Sequence, residues 1–412
     1  MNYAIVFRLL GYVMLIEGAL LLLPAAASWI YGEWFVLGVF LITAAVSAAI
    51  GYALRGIKPK SKMFYMREGF AATSLSWIVI SIVGAVPFVV AGCIPNPVDA
   101  LFETVSGFTT TGASILPGVE DLPKGILFWR SFTHWIGGMG VLVFLLSLLP
   151  LTGGSHVNLM KAESPGPQVD KLVPKVQSTA KILYGIYFAL TVLEVVFLLL
   201  GGMPLFESML TAFGTAGTGG FGFKNDSFTS FSPYIQWVVT IFMILFGVNF
   251  NAYFLLLLRK FNRAISEEVR GYFAIILVAI GIITANIYSL YNSFGEAVRQ
   301  AAFQVGSIIT TTGFSSCDFD LWHPLQRNSG GAHVHWCLRR QHRRRHQGEP
   351  PPHSGQDLGQ GAQAGTAPAG GGPRPHGRQA AQPRDHPHHQ CVYGRIFLHL
   401  RGLLPAHQSG WL

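Results

Sequence analysis

Residues 100–112 read Ala-Leu-Phe-Glu-Thr-Val-Ser-Gly-Phe-Thr-Thr-Thr-Gly, and residues 301–313 read Ala-Ala-Phe-Gln-Val-Gly-Ser-Ile-Ile-Thr-Thr-Thr-Gly. The two match without gaps at Ala, Phe, Ser and the whole closing Thr-Thr-Thr-Gly. A looser copy lies between them, entered through Pro204-Leu-Phe-Glu207 and ending Gly217-Thr218-Gly219-Gly220-Phe221. Such loops offer oxygen without charge. Threonine supplies hydroxyls, and Gly112, Gly220 and Gly313 can turn backbone carbonyls toward a common axis at φ values that strain other residues. Rings of such carbonyls replace the hydration shell of a monovalent cation. One Thr-Thr-Thr-Gly alone reads as a turn; its recurrence in register after an Ala-x-Phe pattern favours a cation filter.

The elements that must position these loops repeat with them, at intervals of roughly a hundred residues. Each copy runs from an apolar helix through a short amphipathic helix to the Thr/Gly loop, and the first two copies continue into a second apolar helix. Half of the residues are hydrophobic and only 12% are charged. Several apolar runs exceed the roughly 20 residues that cross about 30 Å of hydrocarbon. The fold class is therefore an all-α membrane protein in a lipid bilayer, built of helix, re-entrant pore loop and helix around a cation pore, behind two extra N-terminal transmembrane helices. The expected divisions are 1–60 for those two helices, 61–160, 161–262 and 263–322 for three pore repeats, the last incomplete, and 323–412 for a tail.

Taken in order, helices are expected at about Ile5–Ile30, Trp34–Leu54, Phe70–Ala91, Ile126–Leu149, Ile182–Leu200 and Tyr234–Leu258. The basic loops Lys58–Arg67, Lys161–Lys181 and Arg259–Arg270 then all fall on one side, which the positive-inside rule makes cytoplasmic. The N-terminus is cytoplasmic too, and the first helix lacks the cleavage site of a secretory signal. Asp99, Glu103, Glu120, Asp121, Glu207, Asp226, Glu296, Asp318 and Asp320 fall on the outer side with all three loops. There they would concentrate cations as solvated charges. Polar non-helical backbone at membrane depth must be buried in protein or line a watery cavity. Each short helix would also aim its partly negative C-terminal end at the pore.

The net charge of +9 is split between cytosol-type loops and the tail, so no nucleic-acid partner is read from it. Cys93, Cys317, Cys337 and Cys391 have no paired spacing for a disulfide framework or a metal. No catalytic set of side chains is present in the first part of the chain, and no enzyme is expected. Gly137, Gly138 and Gly140 read as helix-packing positions. Arg130 and Lys124 read as charges at the outer end of their helix, His134 as an interfacial histidine. Asn249 and Asn251 could line the cavity or bond across helices.

These residues resemble the Trk/Ktr/HKT superfamily of potassium transporters, and its TrkH-type membrane subunits in particular. The resemblance rests on Phe102-Glu-Thr-Val-Ser-Gly-Phe-Thr-Thr-Thr-Gly-Ala113, Phe128-Trp-Arg-Ser-Phe-Thr-His-Trp-Ile-Gly-Gly-Met-Gly140, Ala162-Glu-Ser-Pro-Gly-Pro167 and residues 301–314, and covers about residues 1–322. It implies four repeats around one pore, with K⁺ as the transported ion. The ion-site positions it implies are Thr110, Thr111 and Gly112; Thr218, Gly219 and Gly220; and Thr311, Thr312 and Gly313. It further implies a bacterial inner (cytoplasmic) membrane location, a homodimer, and a cytosolic nucleotide-binding regulatory subunit of the TrkA type.

After Trp322 the chain changes character: residues 323–395 are rich in Arg, His, Gln, Pro and Gly, with no apolar period. A basic disordered tail, a metal tract at His386-Pro-His388-His389 and a translation out of frame compete. The genetic code favours the last. Trp336 can only be TGG, so a one-base shift forces a glycine there, and Arg340–Gly348 can be reread as Gly-Ser-Thr-Gly-Gly-Gly-Ile-Lys-Val, like the family's gating loop. Three functional readings follow: a potassium-uptake subunit, a non-conducting truncated fragment of one, and a secondary solute or cation symporter with broken helices.

Overall fold

Glycine sets the packing at the N-terminus. In the computed structural model α1 (Tyr3–Leu20) and α3 (Trp34–Arg55) lie so close that a Cβ at Gly11 would meet the Gly51 carbonyl oxygen at 2.8 Å, and one at Gly51 the Gly11 carbonyl at 2.8 Å. Small residues permit such contact between apolar helices. Ser47 adds a bond from its hydroxyl to the Met14 carbonyl at 2.9 Å. The single helix expected over Ile5–Ile30 is divided at Leu21, where α2 (Leu22–Ile30) begins. Pro24 accounts for this, because its ring opposes the carbonyl four residues earlier and it has no amide to donate.

The structure describes residues 2–57, 66–140 and 176–317, which form helices, turns and loops without strand among the described residues. Most of the loop Lys58–Arg67, the inner part of the helix expected to reach Leu149, residues 161–175 of Lys161–Lys181 with Ala162–Pro167, Asp318, Asp320 and the tail lie outside the described residues. The first repeat comprises α4 (Met66–Val90), the short α5 (Pro97–Phe108) and α6 (Lys124–Gly138). The second comprises α7 (Val176–Leu200), the short α8 (Leu205–Ala216), α9 (Pro233–Phe246) and α10 (Phe250–Leu257). A turn of helix, α11 (Phe261–Ala264), leads to the third, with α12 (Glu267–Ile287) and the short α13 (Phe294–Ile309).

Five of the described helical stretches are long and apolar enough to cross a membrane, and six if α9 and α10 count as one bent span. That bend is a departure from the sequence reading. The expected span Tyr234–Leu258 turns through 88° between α9 and α10. Asn249 lies at the turn and caps α10, its side chain accepting from the Asn251 amide at 3.0 Å, while its Nδ2 donates to Glu268 at 3.4 Å. Asn249 thus caps one helix and bonds across to another.

Helix starts follow local sequence. Asn96 caps α5 with Pro97 behind it and Asp99 in the first turn, and Ser293 caps α13 by accepting from the Glu296 amide at 3.2 Å. The start of α6 has no cap of its own. Glu33, between α2 and α3, reaches it instead and accepts from the Lys124 amide at 2.5 Å and the Gly125 amide at 3.0 Å. A carboxylate at a helix N-terminus meets both the unpaired amides and the favourable dipole. The N-terminal hairpin is thereby fastened to the first repeat.

Candidate functional site

The three short helices end alike. After α5 the Thr110 amide donates to the Gly107 carbonyl at 3.1 Å and the Thr111 amide to Ser106 at 2.9 Å. After α8 the Thr218 amide donates to Thr215 at 3.0 Å and the Gly219 amide to Gly214 at 3.1 Å. After α13 the Thr311 amide donates to Ile308 at 3.0 Å, and the Gly313 amide reaches back to Ser307 at 3.3 Å. Endings of this kind need a left-handed residue just past the helix, usually glycine. Here it is threonine each time, with φ of 54° at Thr110, 51° at Thr218 and 59° at Thr311. A β-branched residue in that region is a true outlier, strained by on the order of 1–3 kcal/mol. Two residues on stands a glycine, with φ of 70° at Gly112, 74° at Gly220 and 81° at Gly313. Alternating hand along each segment lets successive carbonyls share one side, as a carbonyl-lined filter requires.

The structure brings the three segments together in chain order. A Cβ on Gly112 would strike the Gly219 carbonyl oxygen, and one on Gly220 the Thr312 carbonyl oxygen. Their outer continuations are stapled in the same order. The Val119 amide donates to Asn225 at 3.0 Å, and the Asn225 amide to Glu120 at 2.9 Å. The Phe228 amide donates to the Ser315 carbonyl at 2.8 Å, and the Ser315 amide to Ser227 at 3.1 Å. Phe221 packs on α5 at Gly107, and Phe314 on α8 at Gly214. The second and third repeats therefore each insert an aromatic ring against the short helix of the repeat before.

Gly219 interrupts the threonine pattern set by Thr111 and Thr312, and His134 is the reason. Its ring lies where a Gly219 side chain would go, with ring atoms 2.5 Å from a built Cβ. The ring stacks on Phe221 with centroids 4.0 Å apart, and Nδ1 accepts from the Phe221 amide at 3.4 Å. His134 is fully buried behind the second segment, which corrects its reading as an interfacial residue. Gly137 and Gly138 pack as expected, with a Gly138 Cβ only 2.8 Å from Gly217.

Arg130 and Glu103 are corrections of more consequence. Arg130 Nε pairs with Glu103 Oε1 at 2.6 Å, and the two side chains are 4% and 0% exposed, so neither is an interface or solvated charge. Glu103 also accepts from the Ser114 hydroxyl at 3.0 Å and the Ile115 amide at 2.9 Å, just past the first segment. Arg130 donates to the Gly222 carbonyl at 3.0 Å and lies 3.7 Å from the centroid of Phe221, just past the second. One buried ion pair thus braces two neighbouring segments. Counting back from the left-handed threonines, Thr211 and Gln304 occupy the place of Glu103, and both are buried. Glu207, part of the looser sequence match, lies instead in the first turn of α8. Gln304 donates to Ser316 at 3.2 Å, and Ser316 donates to Gln300 at 2.5 Å, an uncharged brace for the third segment. Lys124 starts α6 and lies 5.9 Å from the centroid of Phe206.

Residues 37–327 match the cation transport protein family TrkH. The chain belongs to the TrkH family. All three Thr/Gly segments fall within the TrkH match, which stops close to where the composition changes. The Trk system potassium uptake protein TrkH of Salmonella typhimurium is 34% identical over 336 residues, covering 78% of this chain and 68% of that protein. The Trk system potassium uptake protein TrkG of Escherichia coli K12 is 30% identical over 327 residues, covering 77% of this chain and 67% of that protein. Among solved structures, the crystal structure of the potassium transporter TrkH from Vibrio parahaemolyticus aligns with a TM-score of 0.69 at 28% identity, covering 81% of this chain and 70% of that one.

Proposed function

We propose that this chain is the ion-conducting subunit of a Trk-type potassium uptake system. In this reading K⁺ is stripped of water by the carbonyls of Thr110–Gly112, Thr218–Gly220 and Thr311–Gly313 and passes inward, drawn by about 2.3 kcal/mol per 100 mV of membrane potential. The observation that carries it is the side-by-side arrangement of three segments with left-handed residues at the same alternate positions. Strain repeated in register is retained where function needs it. The negative ends of α5, α8 and α13 behind the segments favour a cation and disfavour an anion. The names of the relatives agree, and membership of the TrkH family makes a multi-pass membrane transporter the frame for the proposal.

The finer reading places the chain in the inner membrane with its N-terminus in the cytoplasm, as a homodimer served by a cytosolic nucleotide-binding subunit. The test is rubidium-tracer uptake by potassium-transport-deficient cells producing the full chain. Uptake displaced by excess K⁺ and spared by excess Na⁺ is expected, and equal displacement by both ions refutes K⁺ selectivity.

A second reading, a non-conducting fragment, is favoured by a specific observation. Thr109 and Thr111 of the first segment are exposed, whereas Gly217 and Gly219 at the matching positions of the second are buried. Under this reading the chain as written takes up no rubidium, and a one-base frame correction near codon 323 restores uptake. A stop codon soon after the shift refutes that account.

A further inference from the structure

Two tyrosines do the same thing at two places. Tyr187, on α7 of the second repeat, donates its hydroxyl to the Trp135 carbonyl of α6 at 3.0 Å. Tyr272, on α12 of the third repeat, donates to the Ile244 carbonyl of α9 at 3.0 Å. Each carbonyl is among the last four of its helix, which have no intrahelical amide to accept from. Each lies three residues before a helix-end glycine, Gly138 or Gly247. Those glycines are where the tyrosines arrive. A Cβ on Gly138 would stand 2.6 Å from the Tyr187 hydroxyl and 2.8 Å from Gly217, and one on Gly247 would strike the Tyr272 hydroxyl and stand 2.6 Å from the Thr310 side chain. Gly217 and Thr310 are the residues that follow α8 and α13, immediately before the left-handed threonines of the second and third segments.

We infer that Tyr187 and Tyr272 are equivalent positioning residues. Each clasps the end of the preceding repeat's second helix and holds it beneath the end of its own repeat's short helix, and past the Tyr272 clasp the inner half of that helix turns away. In the second repeat the turn is the 88° bend between α9 and α10. There the Tyr253 hydroxyl adds a bond to Leu245 at 2.6 Å from the inner side. Without the clasp, the helix end is free to straighten across the space below the segments. The inference that this space is the inner end of an ion path rests on the proposed function; the clasp itself does not.

The experiment therefore reads both. Tyr272→Phe keeps the ring and its packing and removes only the hydroxyl. In the full chain, spin labels at Trp237 and Leu257, which are 37% and 69% exposed on either side of the bend, report its angle. A straight helix would separate these positions by about 30 Å, and a right-angled one by roughly 20 Å. The clasp predicts that Tyr272→Phe lengthens or broadens this distance and lowers maximal rubidium uptake by about fivefold, the effect expected for one hydrogen bond, with the half-saturating concentration unchanged. Tyr187→Phe lowers uptake equally and leaves the α9–α10 distance alone, and Tyr52→Phe, on the exposed face of α3, changes neither. An unchanged distance in Tyr272→Phe overturns the inference, as does a change in Tyr187→Phe matching that in Tyr272→Phe. Absence of uptake in the unmodified chain counts against the transport reading alone, because the distance still decides the clasp.

Discussion

Replacing Glu103 by Gln keeps shape and removes charge beside Arg130. At an effective dielectric of about 20, two charges 2.6 Å apart attract by on the order of 6 kcal/mol. Desolvating both ions offsets most of this, so the intact pair contributes little net stability. Removing one partner is another matter, because a buried charge is then uncompensated, at about 3–5 kcal/mol. Glu103→Gln and Arg130→Met should each lower the thermal midpoint of the purified protein strongly. The double variant, with no buried charge left, should lose no more than about half of what either single variant loses, far less than the sum of the two. Discrimination of K⁺ from Na⁺ should not recover with stability, since Gly222 still loses the Arg130 donor and the Ser114–Ile115 turn still loses one of its two carboxylate acceptors. Strictly additive losses, or single variants with an unchanged midpoint, refute the bracing role.

Gly219→Ala should reduce uptake sharply, because the new methyl meets the His134 ring; His134→Ala in the same chain should restore folding, measured by monodisperse elution in detergent. Glu33→Gln should destabilise by roughly 1 kcal/mol, as loss of a charged helix cap does, read as a lower thermal midpoint with unchanged ion preference. A single cysteine at Ser61 should react only with a membrane-permeant thiol reagent in intact cells; labelling by an impermeant one contradicts the cytoplasmic assignment of Lys58–Arg67.

The repeat itself was legible because threonine and glycine recur at fixed offsets, and the same offsets reappear as the left-handed positions Thr110, Thr218 and Thr311. The bracing pair was not legible. An arginine in an apolar helix and a glutamate in an amphipathic one carry no sign of each other across 27 residues, and the rule for membrane-edge charges pulled both toward the surface. The one available signal was positional: a polar residue stands at the same place in all three short helices, as Glu103, Thr211 and Gln304. Gly219 looked like a loose match until His134 took up the space of its side chain. The bend after Gly247 was hidden because both halves are apolar, and only Asn249, a capping residue inside a hydrophobic run, marked it.

The central claim is that the three Thr/Gly segments hold a dehydrated potassium ion, and locating that ion tests it most directly. Thallium, a heavy monovalent cation that potassium sites accept, can be mapped by anomalous scattering in crystals of the full chain or its frame-corrected form. The account predicts density ringed by the carbonyls of residues 110–112, 218–220 and 311–313, removed by excess potassium and retained in excess sodium. Thallium bound only elsewhere, or displaced as readily by sodium, would contradict it.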